Sequence, residues 1–549
     1  MMKRLLALAA IAIATPAAAQ GVDPAAITRT VQDISADAFQ GRAPGGPGET
    51  VTIDYLVKRF AALGLQPGGP DGQWTQTVPL LHTRLGQPER FGVSVKGKWQ
   101  GWTRGEQAYA WSLQPNDKAV IDNAPLVFVG YGVTAPERKW DDFKRADLHG
   151  KVAVILVNDP DFEAVQGEPV FQKFGGRTMT YYGRWTYKFE EMARRGAIGA
   201  LIVHDTPGAG YGWNVVISGQ GEAYDIVRPA GQITSLRLQG WLNGDAAATL
   251  FAQAGLDLPA LRKAARDPAF TPVPLKGITF SAAIPVSHEV VESHNVLAKI
   301  PGKAAADQTV MFGAHWDAYG VGPADKQGNT IRRGANDDGI GVAALLEIAR
   351  ILKAEPAPRR TIAFAVWTAE ERGLLGSEYY ATHPVYPLET TAANLTIDIL
   401  QTAGKAKDAI LVGVGQDSLQ DDMARVAATQ GRRVTPEGLP ERGLFYRADH
   451  FSLAKRGVPV LLQMGIAGAS DLETGGTAAG QAWIDAYTGK CYHQPCDAWS
   501  PDWNLDGAKQ DIDLMLVIGR EVANGTAWPS WKPGSEFKAI RDKSAALRK

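Results

Sequence analysis

The run Thr361-Ile362-Ala363-Phe364-Ala365-Val366-Trp367 holds no charged residue and shows no alternation of apolar with polar. A strand with one wet face alternates. A run this uniform is the kind buried on both faces, with helices above and below a largely parallel sheet. Its neighbours fit. Thr309 to Gly313 reads as a strand, and Val342, Leu345, Leu346, Ala349 and Leu352 follow at helical spacing. Further strands are expected at Leu395 to Leu400, Ala409 to Val414 and Val458 to Gln463, with a closing helix around Ile512 to Val522. Strand and helix alternate from about residue 290, which predicts an α/β fold with a three-layer α/β/α sandwich and a mixed, largely parallel sheet. In such sheets functional groups gather beyond the carboxyl ends of the strands.

The first half has a different texture. Ile53, Leu56, Val57, Phe60, Leu63 and Leu65 give a helical pattern that stops at Gly64 and the Pro67-Gly68-Gly69-Pro70 cluster. From about residue 105 short β-rich runs appear, such as Leu126 to Val129, Val152 to Val157 and Ala200 to Val203, with a helix-like stretch at Tyr187 to Arg195. The expected division is 1–19 leader, 20–105 N-terminal part of the main domain, 106–285 inserted β-rich domain and 286–549 main domain.

Lys3 and Arg4, the apolar run Leu5 to Ala14, Pro16 and the Ala17-x-Ala19 pair form a signal-peptide pattern. The run is too short to span a bilayer comfortably, and no later segment reaches about 18 apolar residues. The expectation is an exported, periplasmic or secreted chain without stable membrane insertion. Basic and acidic residues number 57 and 58, with no basic stripe, which argues against nucleic acid as a partner.

Each strong strand of the second half ends in a potential metal ligand. His315 and Asp317 follow the first, Glu370 and Glu371 the buried run, and Asp398 the next; Asp337 lies in the loop Gly334 to Gly339, and His493 stands between Cys491 and Cys496. Taken singly each has a plainer reading: Asp337 could cap a helix, and Glu370-Glu371 could be a solvated pair. The set carries the case, because two imidazoles and three carboxylates suit zinc.

The set resembles the dizinc exopeptidase family that includes secreted bacterial aminopeptidases, glutamate carboxypeptidase and the non-catalytic transferrin receptor. The matching stretches are H-W-D (315–317), G-A-N-D-D-G-I-G (334–341), A-E-E-R-G-L-L-G-S (369–377), Asp398 and C-Y-H-Q-P-C-D (491–497), with G-R-A-P-G-G-P-G (41–48) near the start. The middle block resembles the family's inserted protease-associated domain. The resemblance implies two zinc ions: His315 and Asp398 on one, Glu371 and His493 on the other, and Asp337 bridging. It makes Glu370 the general base acting on a metal-bridged water, Asp317 the partner of the other His315 nitrogen, and Tyr492 a donor to the oxyanion. Three carboxylates bring about −3 against +4 from two ions, so the site keeps the positive charge that lowers the pKa of water. One departure is Ile340, where the family pattern carries Ser; helix packing rather than chemistry is the expected consequence.

Arg447, in Y-R-A-D-H, is a candidate substrate contact, with a salt bridge to Asp449 as the local alternative; His450 is read as structural. A disulfide between Cys491 and Cys496 is expected from the oxidising compartment, the absence of other thiols and the similar C-Y-H-x-x-C stretch of secreted members. Two free thiols, or one as a zinc ligand, are the alternatives.

The implied activity is a zinc-dependent aminopeptidase acting on peptides. Its rivals are a carboxypeptidase or dipeptidase of the same family, a one-zinc glutaminyl-cyclase-like acyltransferase, and a non-catalytic receptor-like protein. No Arg cluster for a C-terminal carboxylate stands out in the sequence, and the five-ligand set with a separate Glu370 favours hydrolysis.

Overall fold

The computed structural model describes residues 21–219 and 221–548; the leader expected over 1–19 lies outside the described residues. The first elements are two helices, α1 (Pro24–Ile34) and α2 (Pro47–Ala62). Asp23 starts α1 by accepting a hydrogen bond from the Ala25 N–H at 2.9 Å, ahead of Pro24, whose missing N–H is no loss at a helix start. Ile27, Val31 and Ile34 of α1 and Leu56 and Phe60 of α2 form the buried stripes. A strand, β1 (Thr75–Leu85), then leads into the middle block.

That block has its own sheet. Its strands are β2 (Arg90–Val95), β3 (Ala108–Trp111), β4 (Lys118–Phe128), β5 (Val152–Leu156), β6 (Gly199–Val203) and β7 (Leu238–Leu242), with helices α3 (Trp185–Arg194) and α4 (Gly244–Gln253). The central order is β4-β5-β6-β7-β3, parallel except for β3 at the edge. Phe128, Val154 and Leu201 face one apolar cluster, and Val127, Ile155 and Ile202 the other. Burial on both faces explains why these short strands read as unbroken apolar runs.

The 28-residue strand β8 (Val273–Ile300) belongs to both sheets. Residues 273–285 pair with β4 and, in part, β2, while residues 286–296 pair with β1. The middle sheet thus takes in β2, upstream of residue 106, and β8 passes residue 285 without a break.

The second sheet adds β9 (Ala305–His315), β10 (Arg360–Trp367), β11 (Thr391–Ile397) and β12 (Val460–Gln463), in the order β12-β11-β9-β10-β8-β1. The first four strands are parallel; β8 runs antiparallel to β10, and β1 antiparallel to β8. Residues of β10 alternate between two cores. Ile362, Phe364 and Val366 meet helices α5 (Ile340–Ala354) and α7 (Asp506–Asn524) on one face. Ala363, Ala365 and Trp367 meet Tyr380 of α6 (Leu375–Thr382) and Leu453 on the other. This is the three-layer mixed sheet that the sequence predicts. The strand expected at Ala409 to Val414 is shorter, Asp408–Leu411, and pairs with Arg433–Pro436 in a separate two-stranded sheet. Gly413, at φ +72°, turns the chain out of extended conformation there.

Candidate metal centre

Strands β9, β10 and β11 end side by side, with His315 level with Trp367 in the parallel register. The chain beyond each carboxyl end carries an acid or an imidazole toward one point, as expected for an open α/β sheet. His315, Asp337 and Asp398 place one ligand atom each within 4.8 Å of one another, and so do Asp337, Glu371 and His493. Asp337 belongs to both groups. Its Oδ1 lies 3.1 Å from His315 Nε2 and its Oδ2 lies 3.2 Å from His493 Nε2. His493 Nε2 is also 3.2 Å from Glu371 Oε2, and His315 Nε2 is 3.9 Å from both Asp398 Oδ1 and Glu370 Oε2. Asp398 Oδ1 and His493 Nε2 are buried without a hydrogen bond. Orphaned polar atoms of this kind are costly unless something compensates them. The residues therefore fit a pair of divalent cations, which would satisfy both atoms and the excess of carboxylates.

Asp337 does not cap α5. Its neighbour does: Asp338 Oδ1 accepts from the Gly341 N–H at 2.9 Å, which frees Asp337 to turn toward the two histidines. Asp338 Oδ2 also accepts from the His315 N–H at 3.2 Å. Asp497 holds the other side of the loop, accepting from the N–H groups of Asn336 (2.9 Å) and Asp337 (3.1 Å). Ile340, where the family pattern has Ser, is fully buried in the main core.

Asp317 meets the other His315 nitrogen, chiefly through its backbone. His315 Nδ1 lies 3.0 Å from the main-chain carbonyl of Asp317, while the Asp317 carboxylate is 3.5 Å away. The carboxylate instead accepts from the N–H groups of Glu370 (3.0 Å) and Glu371 (3.3 Å). A carboxylate accepting two consecutive N–H groups fixes the backbone from which both glutamates project.

Arg42, in the G-R-A-P-G-G stretch, is fully buried beneath the site. Its guanidinium donates to the carbonyls of Trp316 (2.6 Å), Ile34 (2.9 Å), Arg333 (2.5 Å) and Gly334 (2.7 Å). It thereby ties the N-terminal helices to the loops of His315 and Asp337. Arg42→Met would leave those buried carbonyls unpaired at about 1–3 kcal/mol each. A loss of at least about 3 kcal/mol in urea unfolding is expected; a loss below about 1 kcal/mol would contradict this role.

The charge balance of the cluster is unfavourable as it stands. Burial, reinforced by neighbouring carboxylates, pushes Glu370 and Glu371 well above the usual carboxylate range and Asp398 up to about 7. Burial also raises Asp449, beneath the cluster, to about 8. For His315, burial acts downward, but Glu370, Asp317 and Asp337 outweigh it and hold the ring well above its ordinary value. Raised carboxyls make the folded chain bind protons that the unfolded chain releases between about pH 4 and 8, so stability falls as pH rises through that window. His315 adds to the loss as pH passes its folded value, in the same direction. Asp337, held low despite burial by the two imidazoles that face it, acts oppositely, but only below about pH 4. Bound cations would replace the protons. The Tm of the metal-free chain is expected to fall from pH 5 to pH 8, and the gain on adding zinc to grow over the same interval. A gain independent of pH would contradict the assignment of these carboxyls.

Tyr492 packs on His493 with ring centroids 3.6 Å apart, and burial, with Asp337 next, raises its phenol well above the ordinary value. Cys491 and Cys496 are joined by a disulfide, with Cα atoms 5.0 Å apart, and so bracket Tyr492 and His493. Arg447 does not pair with Asp449; its charge reaches Asp398 and Tyr492. His450 is fully buried and stands apart from both ligand groups. Tyr319 went unread in the sequence. Its ring lies 4.5 Å from that of His493, and the Arg372 guanidinium lies 5.3 Å from the Tyr319 centroid. Only its place four residues after His315 hinted at this.

Residues 295–517 match the profile of Peptidase family M28, and all five converging side chains fall inside the match. This segment belongs to family M28. The chain is 28% identical over 255 residues to leupeptin-inactivating enzyme 1 of Streptomyces exfoliatus, covering 45% of this chain and 52% of that one. It is 31% identical over 140 residues to aminopeptidase YwaD of Bacillus subtilis (strain 168), covering 25% and 28%. The matches thus span about a quarter to a half of the length of these curated relatives. Among solved structures, the aminopeptidase from Aneurinibacillus sp. strain AM-1 aligns at a TM-score of 0.49 and 20% identity, over 94% of this chain and 96% of that one.

Proposed function

We propose that the chain is a zinc-dependent aminopeptidase that removes N-terminal residues from peptides. The observation that carries the reading is the pair of three-ligand groups sharing Asp337, with Glu370 alongside but outside both. His, Asp and Glu donors suit zinc. His315 and Asp398 would hold one ion, Glu371 and His493 the other, and Asp337 both. Bound there, the pair supplies Lewis-acid polarisation of the scissile carbonyl and a lowered pKa for water.

The chain's own residues do the rest. Glu370 takes a proton from the attacking water and passes it to the leaving amine. A carboxyl whose proton affinity is raised by burial and by adjacent acids is suited to both halves of that task. Asp317 acts as a positioning residue through the backbone of Glu370 and Glu371. Tyr492 donates its O–H to the developing oxyanion, held in place by the disulfide at 491 and 496. The middle block is the family's protease-associated domain on this reading, and the leader at 1–19 sends the chain to the periplasm or the medium. No helix among the described residues is long and apolar enough to cross a membrane.

Direction of attack has a simple test. An aminopeptidase holds a free α-amino group, and the cluster's carboxylates supply the counter-charge. N-acetylation of a peptide is expected to cost at least about 100-fold in kcat/KM, the size of a lost buried ion contact. Acetylated and free peptides cleaved equally fast would favour the carboxypeptidase reading instead.

A further inference from the structure

The two histidines of the cluster are held in different ways. The His315 ring has the usual support of a metal ligand, since its outer nitrogen, Nδ1, lies 3.0 Å from the Asp317 carbonyl. His493 has no such tie. Its Nε2 faces Asp337 and Glu371, and its Nδ1 makes no hydrogen bond among the described residues. Its backbone sits at φ +62°, a left-handed conformation that a residue with a side chain keeps only where its surroundings impose it. Aromatic contact holds the ring instead. Tyr492 packs on it at 3.6 Å and Tyr319 at 4.5 Å between centroids, with planes tilted by 33° and 41°. Tyr492 is its chain neighbour, but Tyr319 comes from the loop after β9.

Tyr319 is the end of a longer stack. Arg372, the residue after Glu371, places its guanidinium 5.3 Å from the Tyr319 centroid and 5.1 Å from that of Tyr224. The guanidinium has no hydrogen bond or ion pair among the described residues, so the two rings are what it rests on. A cation over the face of a tyrosine is attracted by the ring quadrupole. Tyr224 belongs to the middle block. Its segment, Glu222–Ile226, pairs antiparallel with β1, and Tyr224 stands directly opposite His82. The His82 and Tyr224 rings stack at 4.3 Å with planes 4° apart, and His82 Nδ1 lies 3.0 Å from Glu289 Oε1 of β8. The far end of the stack is thus anchored on β1 and β8, and the near end touches a metal ligand.

We propose that the stack Tyr224–Arg372–Tyr319 orients His493, so that the middle block sets the affinity of the second metal position, the one held by Glu371 and His493. Arg372 and Tyr224 are positioning residues that act through Tyr319, and the stack replaces the hydrogen bond that fixes His315. The inference rests on the two-ion reading and deepens it by making the two positions unequal. The second ion depends on a contact from the middle block, and the His315 side does not. Charge alone predicts the opposite result. A guanidinium next to a ligand of a dication repels that ion, so an Arg372 that acted only as a charge would weaken zinc, and its removal would tighten binding. An Arg372 that holds the stack strengthens zinc at one position, and its removal loosens that ion.

The test is a zinc titration of the metal-free full chain against a chelating dye, read as the number and affinity of bound ions. The parent should bind two. Arg372→Met and Tyr319→Leu should weaken one ion by about 10- to 100-fold, the usual worth of a residue that orients a metal-bound histidine, and leave the other within about threefold. Tyr224→Leu, in the middle block, should weaken the same ion by at least about threefold, the worth of a cation–aromatic contact. Arg372→Lys and Tyr319→Phe keep the charge and the ring, and should bind both ions as the parent does. Adding Arg372→Met to His493→Ala should cost nothing further, which assigns the effect to that histidine. Tighter zinc in Arg372→Met, equal weakening of both ions, unchanged zinc in Tyr224→Leu, or a loss in Tyr319→Phe as large as in Tyr319→Leu overturns the inference and leaves the two-ion reading standing. So does a further loss in the double variant. A parent chain that binds fewer than two ions overturns both.

Discussion

Glu370→Gln is expected to lower kcat by about 10²–10⁴-fold, the usual worth of a positioned general base, while leaving bound zinc unchanged. The carboxamide keeps the size and most of the hydrogen bonding of the glutamate but cannot take a proton. Glu370 belongs to neither three-ligand group, although its Oε2 is 3.9 Å from His315 Nε2. Its neighbour is a member of the second group, so Glu371→Gln should lose metal instead. The contrast between adjacent residues carries the argument, because a general disturbance of the loop would affect both alike. Kinetics and metal analysis on the two purified variants decide the matter, and equal metal loss in both would contradict the separation of base from ligand. A decrease in KM alone would not rescue it.

Asp337→Ala should be more severe. Asp337 alone stands in both ligand groups, and its carboxylate faces His315 on one side and His493 on the other. Removing it takes a donor from each ion at once. Positioning partners around metal ligands are typically worth 10–100-fold in affinity, so a shared ligand should cost at least about 100-fold for each ion. Activity should fall to background at zinc concentrations that saturate the parent chain. The apo-protein should still fold, since the Asp497 carboxylate holds the Asn336 and residue-337 N–H groups whatever side chain follows. Circular dichroism and a zinc titration check both halves of the expectation.

Much of the fold was legible because the sequence states it locally. The run at 361–367 is apolar on both faces, and the structure buries both faces. The parallel sheet then places whatever follows each strand at one edge, which is why His315, Glu371 and Asp398 could be picked out before their contacts were known. Asp337 and Asp338 show where local reading stops. The two are adjacent and chemically alike, and a helix follows them, yet the cap falls to Asp338 and the two-sided position to Asp337. That choice depends on Asp497, some 160 positions away in the chain. Asp317 is a second case. H-W-D suggests a contact to the histidine two residues back, and the structure has it, but the carboxylate's closer partners are the N–H groups of a loop that only folding brings near. Residues whose role is set by their own strand or helix can be read from periodicity, and residues whose role is set by a distant partner cannot.

On the proposed reading, five side chains at the ends of three parallel strands and two loops hold two metal ions through one shared carboxylate. Anomalous scattering at the zinc edge from crystals of the zinc-loaded chain tests it most directly. Two peaks roughly 3.5–4 Å apart are expected, one bound by His315 and Asp398, the other by Glu371 and His493, with Asp337 between them. A single peak, or peaks that leave Asp337 unbound, would contradict it.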